Sequence, residues 1–150
     1  MSTRGIEKGY VFMGVAHQIA ELGTCDRARV GAVIIRDGRC VSWGYNGAPP
    51  GLPHCVANNH GYGYDVIAHG CRNATHAEAN AVAFAARQGI STDGADLFVT
   101  VLPCDVCARL LIAAGISTVF YDEEYRDPAG RELLGEAGVQ CLNIAVPSTS

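Results

Sequence analysis

The chain carries few charged residues and no long apolar run. Only 17% of its 150 residues are Asp, Glu, Lys or Arg, and the net charge is −4. Proteins that bind double-stranded nucleic acid usually present a basic face, so this composition argues against such a partner. No apolar stretch approaches the roughly 20 residues of a membrane-spanning helix, and the first ten residues lack the apolar core of a signal peptide. We therefore expect a cytoplasmic protein with no membrane or nucleic-acid partner.

The sequence also lacks internal repeats and linkers, and 49% of it is hydrophobic. A chain of this length and composition is predicted to fold as one domain over residues 1–150. Apolar spacing predicts helices over residues 10–22, 75–89, 104–115 and 128–137. It predicts a hairpin over residues 30–47 that turns at Asp37-Gly38, and strands over residues 95–101, 117–121 and 139–146. This order favours an α/β fold in which helices cover both faces of one sheet.

Seven cysteines are present, and in a cytosolic protein they indicate metal binding or catalysis rather than disulfides. They are Cys25, Cys40, Cys55, Cys71, Cys104, Cys107 and Cys141. Cys40 and Cys141 lie in apolar, strand-like runs, where a cysteine usually serves as a small buried hydrophobic residue. Cys104 and Cys107 form a C-x-x-C motif after Pro103, at the predicted start of a helix. That position places both sulfurs on one face and favours the thiolate, so the motif could be a redox pair or half of a zinc site.

A second group of residues lies in the stretch THAEANAVAFAA, residues 75–86. Taken singly, His76 is typical of a surface or core histidine, and Thr75-x-x-Glu78 is typical of a helix capping box. Together with the two cysteines of the C-x-x-C motif, His76 completes three zinc ligands and leaves a fourth position open for water, as in catalytic sites. Glu78 stands two residues from a ligand and could accept a proton from that water. The two roles of Glu78, helix cap and catalytic base, need not exclude each other.

The combined pattern H-x-E…P-C-x-x-C is typical of zinc-dependent deaminases that act on nucleobases. Further stretches extend it: VGAVIIRDG, GYNGAPPGLPHC at 44–55, CRNATHAEANA at 71–81, TVLPCDVCARLLIAAGI at 100–116, and Tyr125. With these, residues 10–142 of the chain resemble the deoxycytidylate (dCMP) deaminase family. The resemblance implies a three-layer α-β-α fold, with a single mixed five-stranded sheet flanked by helices as in cytidine deaminases.

The resemblance also implies a reaction, the hydrolysis of dCMP to dUMP and ammonia, which supplies a precursor of thymidylate. Zinc held by His76, Cys104 and Cys107 would activate water. Glu78 would carry a proton from that water to N3 of the cytosine and assist the departure of ammonia from C4.

Three residues carry over as substrate contacts. The resemblance implies that Asn46 binds the sugar hydroxyl, that the backbone N–H of Ala77 faces the pyrimidine carbonyl, and that Tyr125 lies near the base or the phosphate. Asn46-Gly47 is also an ordinary turn signal, which is the simpler interpretation of that pair. The candidates for the phosphate ligand, which the sequence does not rank, are Arg27, Arg29 and Arg109.

Residues 45–72 are rich in Gly, Pro, Asn and His, and a loop of that length is usually functional. Members of the family often bind a second, structural zinc near this loop. The resemblance implies that three of its ligands are Cys25, Cys55 and Cys71. The fourth would be His54, His60 or His69. Some members place a carboxylate two residues before the catalytic histidine, where this chain has Ala74. The alternative interpretation is three reduced thiols with no shared role.

Assembly and regulation form the last part of the resemblance. Many relatives are hexamers built from dimers, activated by dCTP and inhibited by dTTP, with Mg²⁺ accompanying the nucleotide. The resemblance implies allosteric contacts at Tyr45 and Gly47, whereas residues 56–70 match no pattern of the family. The apolar helices themselves favour a homo-oligomer.

Three other interpretations stay open. A related zinc deaminase would keep the catalytic residues but act on dCTP, a nucleoside, a modified cytosine nucleotide or a free base. A zinc-stabilised binding module would hold the metal without turnover. A C-x-x-C redox protein would need neither His76 nor Glu78 and would show a defined reduction potential without bound metal.

Overall fold

The structure, a computed structural model, describes residues 3–24, 28–52, 64–65, 70–71 and 74–146. Its helices are α1 Thr3–Ala20, α2 Ala77–Arg87, α3 Asp105–Ala113 and α4 Ala129–Glu136. Its strands are β1 Gly31–Arg36, β2 Arg39–Tyr45, β3 Tyr64–Asp65, β4 Gly70–Cys71, β5 Asp96–Val101, β6 Thr118–Glu123 and β7 Gln140–Asn143. Within these ranges, no helix has the length and apolar character needed to cross a membrane.

Five of the strands form one mixed sheet in the order β2-β1-β5-β6-β7. Strand β1 is antiparallel to both β2 and β5, whereas β5, β6 and β7 are parallel to one another. The prediction of a single mixed five-stranded sheet is therefore confirmed. Because β5 and β6 are parallel neighbours, the segments after them leave the same edge of the sheet. There the Leu102 N–H donates to the Glu123 carbonyl at 2.8 Å.

The central strands bury side chains on both faces, which explains why they form unbroken apolar runs in the sequence. On one face, Met13 and Ala16 of α1 pack against Val33, Phe98 and Phe120. The other face is larger and packs against the remaining helices, with a core that includes Ala32, Ile34, Ala81, Leu97, Val99, Ala108, Leu111, Val119 and Leu134. Helices on both faces make the three layers that the sequence predicts.

The hairpin of β1 and β2 turns at Asp37 and Gly38, as predicted. These residues have φ angles of 53° and 72°, and Arg36 pairs with Arg39 on either side of them. Two successive left-handed residues are typical of a type I′ turn, whose twist matches that of the two strands.

Besides shifts of a few residues at the ends of several elements, two elements differ from the sequence prediction. Helix α1 begins at Thr3 rather than at residue 10. Its first turns are largely exposed and so carry little apolar periodicity. Strands β3 and β4 form a short antiparallel pair inside the segment predicted as a continuous loop, because strands of two residues are too short to leave an alternating pattern.

Candidate active site

Three metal-ligating side chains meet at the starts of two helices. His76 is the N-cap residue of α2, Cys104 is the N-cap residue of α3, and Cys107 lies in the first turn of α3. The Nδ1 atom of His76 lies 3.6 Å from Sγ of Cys104 and 3.4 Å from Sγ of Cys107. The three ligand atoms all lie within 4.8 Å of one another. The structure thus brings together the ligand set proposed from the sequence.

Two glycines allow the backbone around these ligands to pack closely. A Cβ atom on Gly44 of β2 would lie 2.5 Å from the Ala77 carbonyl oxygen, at the start of α2. A Cβ atom on Gly130 of α4 would collide with the Pro103 carbonyl oxygen, just before Cys104. Real Cβ atoms do not approach backbone so closely, so glycine at each position lets a neighbouring element support one half of the cluster.

The charges of the site are set by burial and by contacts within the cluster. Glu78 is only 4% exposed. Burial raises its pKa, while the positive charge on His76 opposes that rise. Hydrogen bonding from the Cys107 thiol lowers the pKa of Cys104, and the same contact raises the pKa of Cys107. The metal-free chain therefore favours one thiolate and one thiol, with the Glu78 carboxyl beside them.

This donor set fits zinc. Cys104 and Cys107 are 5% and 2% exposed, and two thiolates with one imidazole match the sulfur and nitrogen ligands that zinc prefers. Both helix N-termini favour negative charge on the sulfurs, and the Cys107 N–H donates to Sγ of Cys104 at 3.5 Å. Three protein ligands leave one zinc position for water or substrate. A redox pair would not need an imidazole in contact with both sulfurs, so the geometry favours the metal interpretation.

The predicted capping box at Thr75 and Glu78 is wrong. The N-cap residue is His76, which makes no side-chain capping hydrogen bond. Thr75 instead forms an isolated β-bridge: its N–H donates to the Gly47 carbonyl at 2.8 Å, and the Gly47 N–H donates to the Thr75 carbonyl at 3.1 Å. Because this bridge holds Thr75 in extended conformation, the helix starts later and Glu78 is left to face the metal-ligand cluster.

The segment predicted to bind the sugar is held beside the cluster by that bridge. Asn46 is 8% exposed, and its side-chain carbonyl accepts a hydrogen bond from the Val30 N–H at 2.7 Å. Its amide donates to the Ala28 carbonyl at 2.6 Å. Asn46 therefore fixes the backbone around it. This structural role uses its side-chain carbonyl and its amide, but not the full hydrogen-bonding capacity of either group. The predicted sugar contact remains a prediction.

The other two proposed substrate contacts follow a metal ligand and a strand of the sheet, respectively. Ala77 is buried at the start of α2, immediately after His76. Tyr125 follows β6 at the sheet edge from which Cys104 also leaves, and it packs against the larger core. Among the phosphate candidates, Arg29 pairs with Glu21 at 3.5 Å. A second phosphate candidate, Arg109, pairs with Asp105 at 3.3 Å, and both residues lie on α3.

The proposed second zinc site falls mostly outside the described residues. The proposed ligands that lie outside the described residues are Cys25, His54, Cys55, His60 and His69. The phosphate candidate Arg27 also lies outside them. Cys71 is placed only as part of β4. The second site therefore stays a prediction from the resemblance.

A separate cavity of about 480 Å³ lies between β2, α2 and the segment after β2. Its walls include Trp43, Tyr45, Phe84 and Arg87 together with residues 48–52. The Trp43 and Tyr45 rings stack with centroids 6.2 Å apart. Tyr45, one of the two proposed effector contacts, thus lines this cavity, whereas Gly47 forms the bridge to Thr75 instead. Sequence reasoning did not find the cavity, because its residues come from distant segments.

Sequence reasoning also missed Asn80. Its side-chain amide donates to the Tyr45 carbonyl at 2.6 Å, so it joins α2 to the end of β2. The available signal was a single amide residue in the otherwise apolar stretch that follows Glu78.

Comparison with known proteins connects this geometry to a chemistry. Residues 7–123 match the family profile described as the cytidine and deoxycytidylate deaminase zinc-binding region. ComE operon protein 2 of Bacillus subtilis (strain 168) is 42% identical over 129 residues, which span 85% of this chain and 66% of that protein. The deoxycytidylate deaminase of Mycobacterium phage D29 is 38% identical over 120 residues, which span 75% of this chain and 92% of that enzyme.

A solved structure shows the same fold. The crystal structure of dCMP deaminase from the cyanophage S-TIM5, in complex with dCMP and dUMP, is 30% identical and has a TM-score of 0.81. The similarity covers 96% of this chain and 99% of that one. It therefore extends well beyond the residues of the cluster.

Proposed function

The chain belongs to the cytidine and deoxycytidylate deaminase family, and from that premise we propose that it hydrolyses dCMP to dUMP and ammonia. The observation that carries the proposal is the cluster of His76, Cys104 and Cys107 with the buried Glu78 beside it. Support for the nucleotide substrate comes from the phage deoxycytidylate deaminases to which this chain is similar over most of its length. The product would supply a precursor of thymidylate.

Each residue of the cluster has a distinct part in the reaction. His76, Cys104 and Cys107 would hold zinc through Nδ1 and the two sulfurs, and the bound metal would supply a Lewis acid that lowers the pKa of water. The first turns of α2 and α3 favour the thiolate forms of the sulfurs. The buried walls keep these ligands out of bulk solvent, which strengthens the electrostatic interactions among them.

Glu78 is the proton carrier of this mechanism. A new bond forms between the water oxygen and C4 of the cytosine, and the bond between C4 and its amino nitrogen breaks. Glu78 takes a proton from the water and delivers it to N3, and the second proton leaves with the amine as ammonia. A carboxyl whose pKa is raised by burial suits both halves of that task, since it can accept and release a proton nearer to neutral pH.

The test is the release of ammonia by the zinc-loaded protein from dCMP, dCTP, deoxycytidine and 5-methyl-dCMP. We expect turnover of dCMP, and we expect Glu78→Gln to lose at least about 100-fold in kcat while zinc stays bound. Glu132→Gln is the matched control, because it makes the same change in the first turn of α4 at an exposed position. It should leave turnover and zinc content unchanged.

Other outcomes distinguish the alternatives. Turnover of dCTP, a nucleoside or 5-methyl-dCMP without dCMP would keep the chemistry and move the assignment to a related deaminase. Zinc binding without turnover of any of the four compounds would contradict the proposal and favour a binding module. Full activity in Glu78→Gln would contradict the role of the carboxyl.

We further propose that the cavity beside Trp43 and Tyr45 takes a nucleotide effector, dCTP as activator and dTTP as inhibitor, with Mg²⁺ on its phosphates. The stacked rings suit a planar base, Arg87 offers a positive charge for phosphate, and the volume lies within the usual range of ligand sites. Arg87→Ala should weaken the response of turnover to dCTP. Arg39→Ala, an exposed arginine on the same strand as Trp43, should not.

Assembly belongs to the same proposal. Large apolar side chains stay exposed around the cavity, with Trp43 45% and Phe84 50% exposed. We propose a cytoplasmic homo-oligomer, a hexamer built from dimers, in which part of this surface is covered. Light scattering with and without dCTP should report six chains, and a single chain of 15.8 kDa under both conditions would contradict it.

A further inference from the structure

Asn80 joins the catalytic helix to the segment that carries the proposed sugar contact. It lies two residues after Glu78 on α2, and its side-chain Nδ2 donates to the Tyr45 carbonyl at 2.6 Å. Tyr45 ends β2 and is followed directly by Asn46. One hydrogen bond therefore separates the helix that holds the proton carrier from the backbone that holds the sugar-binding residue.

The Asn80 contact closes a ring of short connections. Gly47 and Thr75 exchange two backbone hydrogen bonds, at 3.1 Å and 2.8 Å, and Thr75 is covalently attached to His76. The segment from Tyr45 to Gly47 is thus fastened to α2 twice, once before the helix begins and once one turn into it. Removing the contact at Asn80 would leave the segment joined to α2 only through the bridge at Thr75, while Asn46 keeps its hydrogen bonds to Thr24, Ala28 and Val30.

We propose that Asn80 is a positioning residue that fixes Asn46 relative to Glu78 and so sets the preference of the site for a sugar hydroxyl. The inference rests on the proposed function, since it needs Asn46 to contact the sugar. Binding energy from a remote part of a substrate contributes to the rate only when that part and the reacting atom are held in one geometry. The ring supplies that geometry between the sugar and C4.

Ser42 offers a matched control within the same pair of elements. Its hydroxyl donates to the Ala81 carbonyl at 2.7 Å, so it also joins β2 to α2 through a buried hydrogen bond. It stands in the middle of the strand, on the far side of Gly44 from the sugar-binding segment. Loss of that contact should weaken packing between β2 and α2 without changing the hydrogen bond that joins the Tyr45–Asn46 backbone to Asn80.

The experiment compares dCMP with 2′,3′-dideoxy-CMP, which lacks the sugar hydroxyl. The ratio of their kcat/KM values is measured for the wild-type enzyme, Asn80→Ala, Asn80→Asp and Ser42→Ala. A fraction of misfolded protein cancels in this ratio, so the result does not depend on equal stability. We expect the wild type to prefer dCMP by at least about tenfold, as one substrate hydrogen bond provides.

The proposal predicts that both Asn80 variants lose most of this preference, chiefly through kcat on dCMP, while Ser42→Ala keeps it. Asn80→Asp has the shape of asparagine but loses the N–H donor and adds a negative charge, so a loss of preference shared with the uncharged Asn80→Ala identifies the missing hydrogen bond as the cause. A wild-type preference that persists in both Asn80 variants would overturn the inference. Equal turnover of both substrates by the wild type would contradict the sugar contact of Asn46 on which the inference rests. Loss of the preference in Ser42→Ala would show that Asn80 acts only through packing of β2 against α2.

Discussion

At the scale of single residues, burial decides which charge states the fold tolerates. Glu78 and Asp96 both have pKa values raised by burial, but they differ in surroundings. Glu78 faces His76 and the two cysteines, so its raised pKa belongs to the cluster in which we propose that it carries a proton. Asp96 begins β5, and its pKa is raised by burial alone. A raised pKa alone therefore does not identify a catalytic group, and the neighbours of the group do.

Asp96→Asn is expected to stabilise the protein at neutral pH. The folded chain raises the pKa of Asp96 above its usual value of 3.8, so folding favours the protonated carboxyl over the charged one. The contribution of this carboxyl is fully present below pH 3.8 and is lost as the pH rises through the raised value. Asparagine has no proton to lose and should keep the fold more stable than wild type above that range.

Urea denaturation at several pH values measures this difference. The midpoint of Asp96→Asn should exceed that of wild type at pH 7, and the gap should shrink as the pH falls toward 4. A gap that stays constant with pH would mean that packing, and not ionisation, separates the two proteins.

At the scale of elements, the sequence predicted the helices and strands that have a regular apolar pattern. It missed the features that depend on contacts with distant segments. Periodic apolar residues located the four helices and the strands of the large sheet, because α2, α3 and the central strands bury regular faces. The start of α2 was misplaced, because Thr75 is held by Gly47 from a distant segment. Propensity and capping patterns describe neighbours in the chain, and a bridge across 28 residues lies beyond them.

Gly44→Ala tests how closely α2 must lie on β2. The added methyl would stand 2.5 Å from the Ala77 carbonyl oxygen and 2.6 Å from the Ala81 nitrogen. The helix must then move away from the strand, at a cost of about 1–3 kcal/mol in the free energy of unfolding. Since His76 and Glu78 are attached to that helix, turnover should fall by more than the loss of folded protein accounts for.

The matched substitution is Gly14→Ala in α1, where no atom beyond the adjoining helix backbone lies within 4 Å of the added methyl. It should raise stability by up to ~1 kcal/mol, because alanine favours the helix interior over glycine. Its turnover should equal that of wild type. Retained activity in Gly44→Ala would show that the site tolerates displacement of α2.

The site itself was predictable to the extent that its residues lie at helix starts. Two short motifs contain these residues, with His76 and Glu78 in one and Cys104 and Cys107 in the other. The spacing within each motif is set by the chemistry of the site, so the sequence could pair the motifs without knowledge of the fold. Asn80 and the cavity wall had no such spacing. Their meaning comes from the contact of α2 with β2, which only the tertiary structure provides.

At the scale of the whole molecule, the metal cluster joins two helices whose most extensive packing is with other elements, α2 with β2 and α3 with α4. Helices α2 and α3 cover one face of the sheet and contribute His76 and the two cysteines respectively. A bound ion would therefore connect them directly. The opposite layer, α1 packed through Met13 and Ala16, does not depend on that connection.

Removal of zinc by a chelator is expected to lower the urea midpoint and to abolish turnover. A ligand that binds only the folded state at 100 times its Kd contributes about 2.7 kcal/mol, which chelation would remove. Hydrogen exchange should accelerate first at the starts of α2 and α3, whereas β1 and β5 keep their protection. Low pH should release the metal in the same way, because protons compete for the thiolates and the imidazole.

Two variants determine which metal is responsible. Cys107→Ser should lose the response to the chelator that the cluster provides. Cys40→Ser should keep the whole of it, because the Cys40 thiol on β2 is exposed and not buried as its apolar run predicted. Any response left in Cys107→Ser would belong to a second metal, the ion proposed for Cys25, Cys55 and Cys71. An equal midpoint for wild type with and without chelator would show that α2 and α3 are held by packing alone, and the metal would then serve only the chemistry.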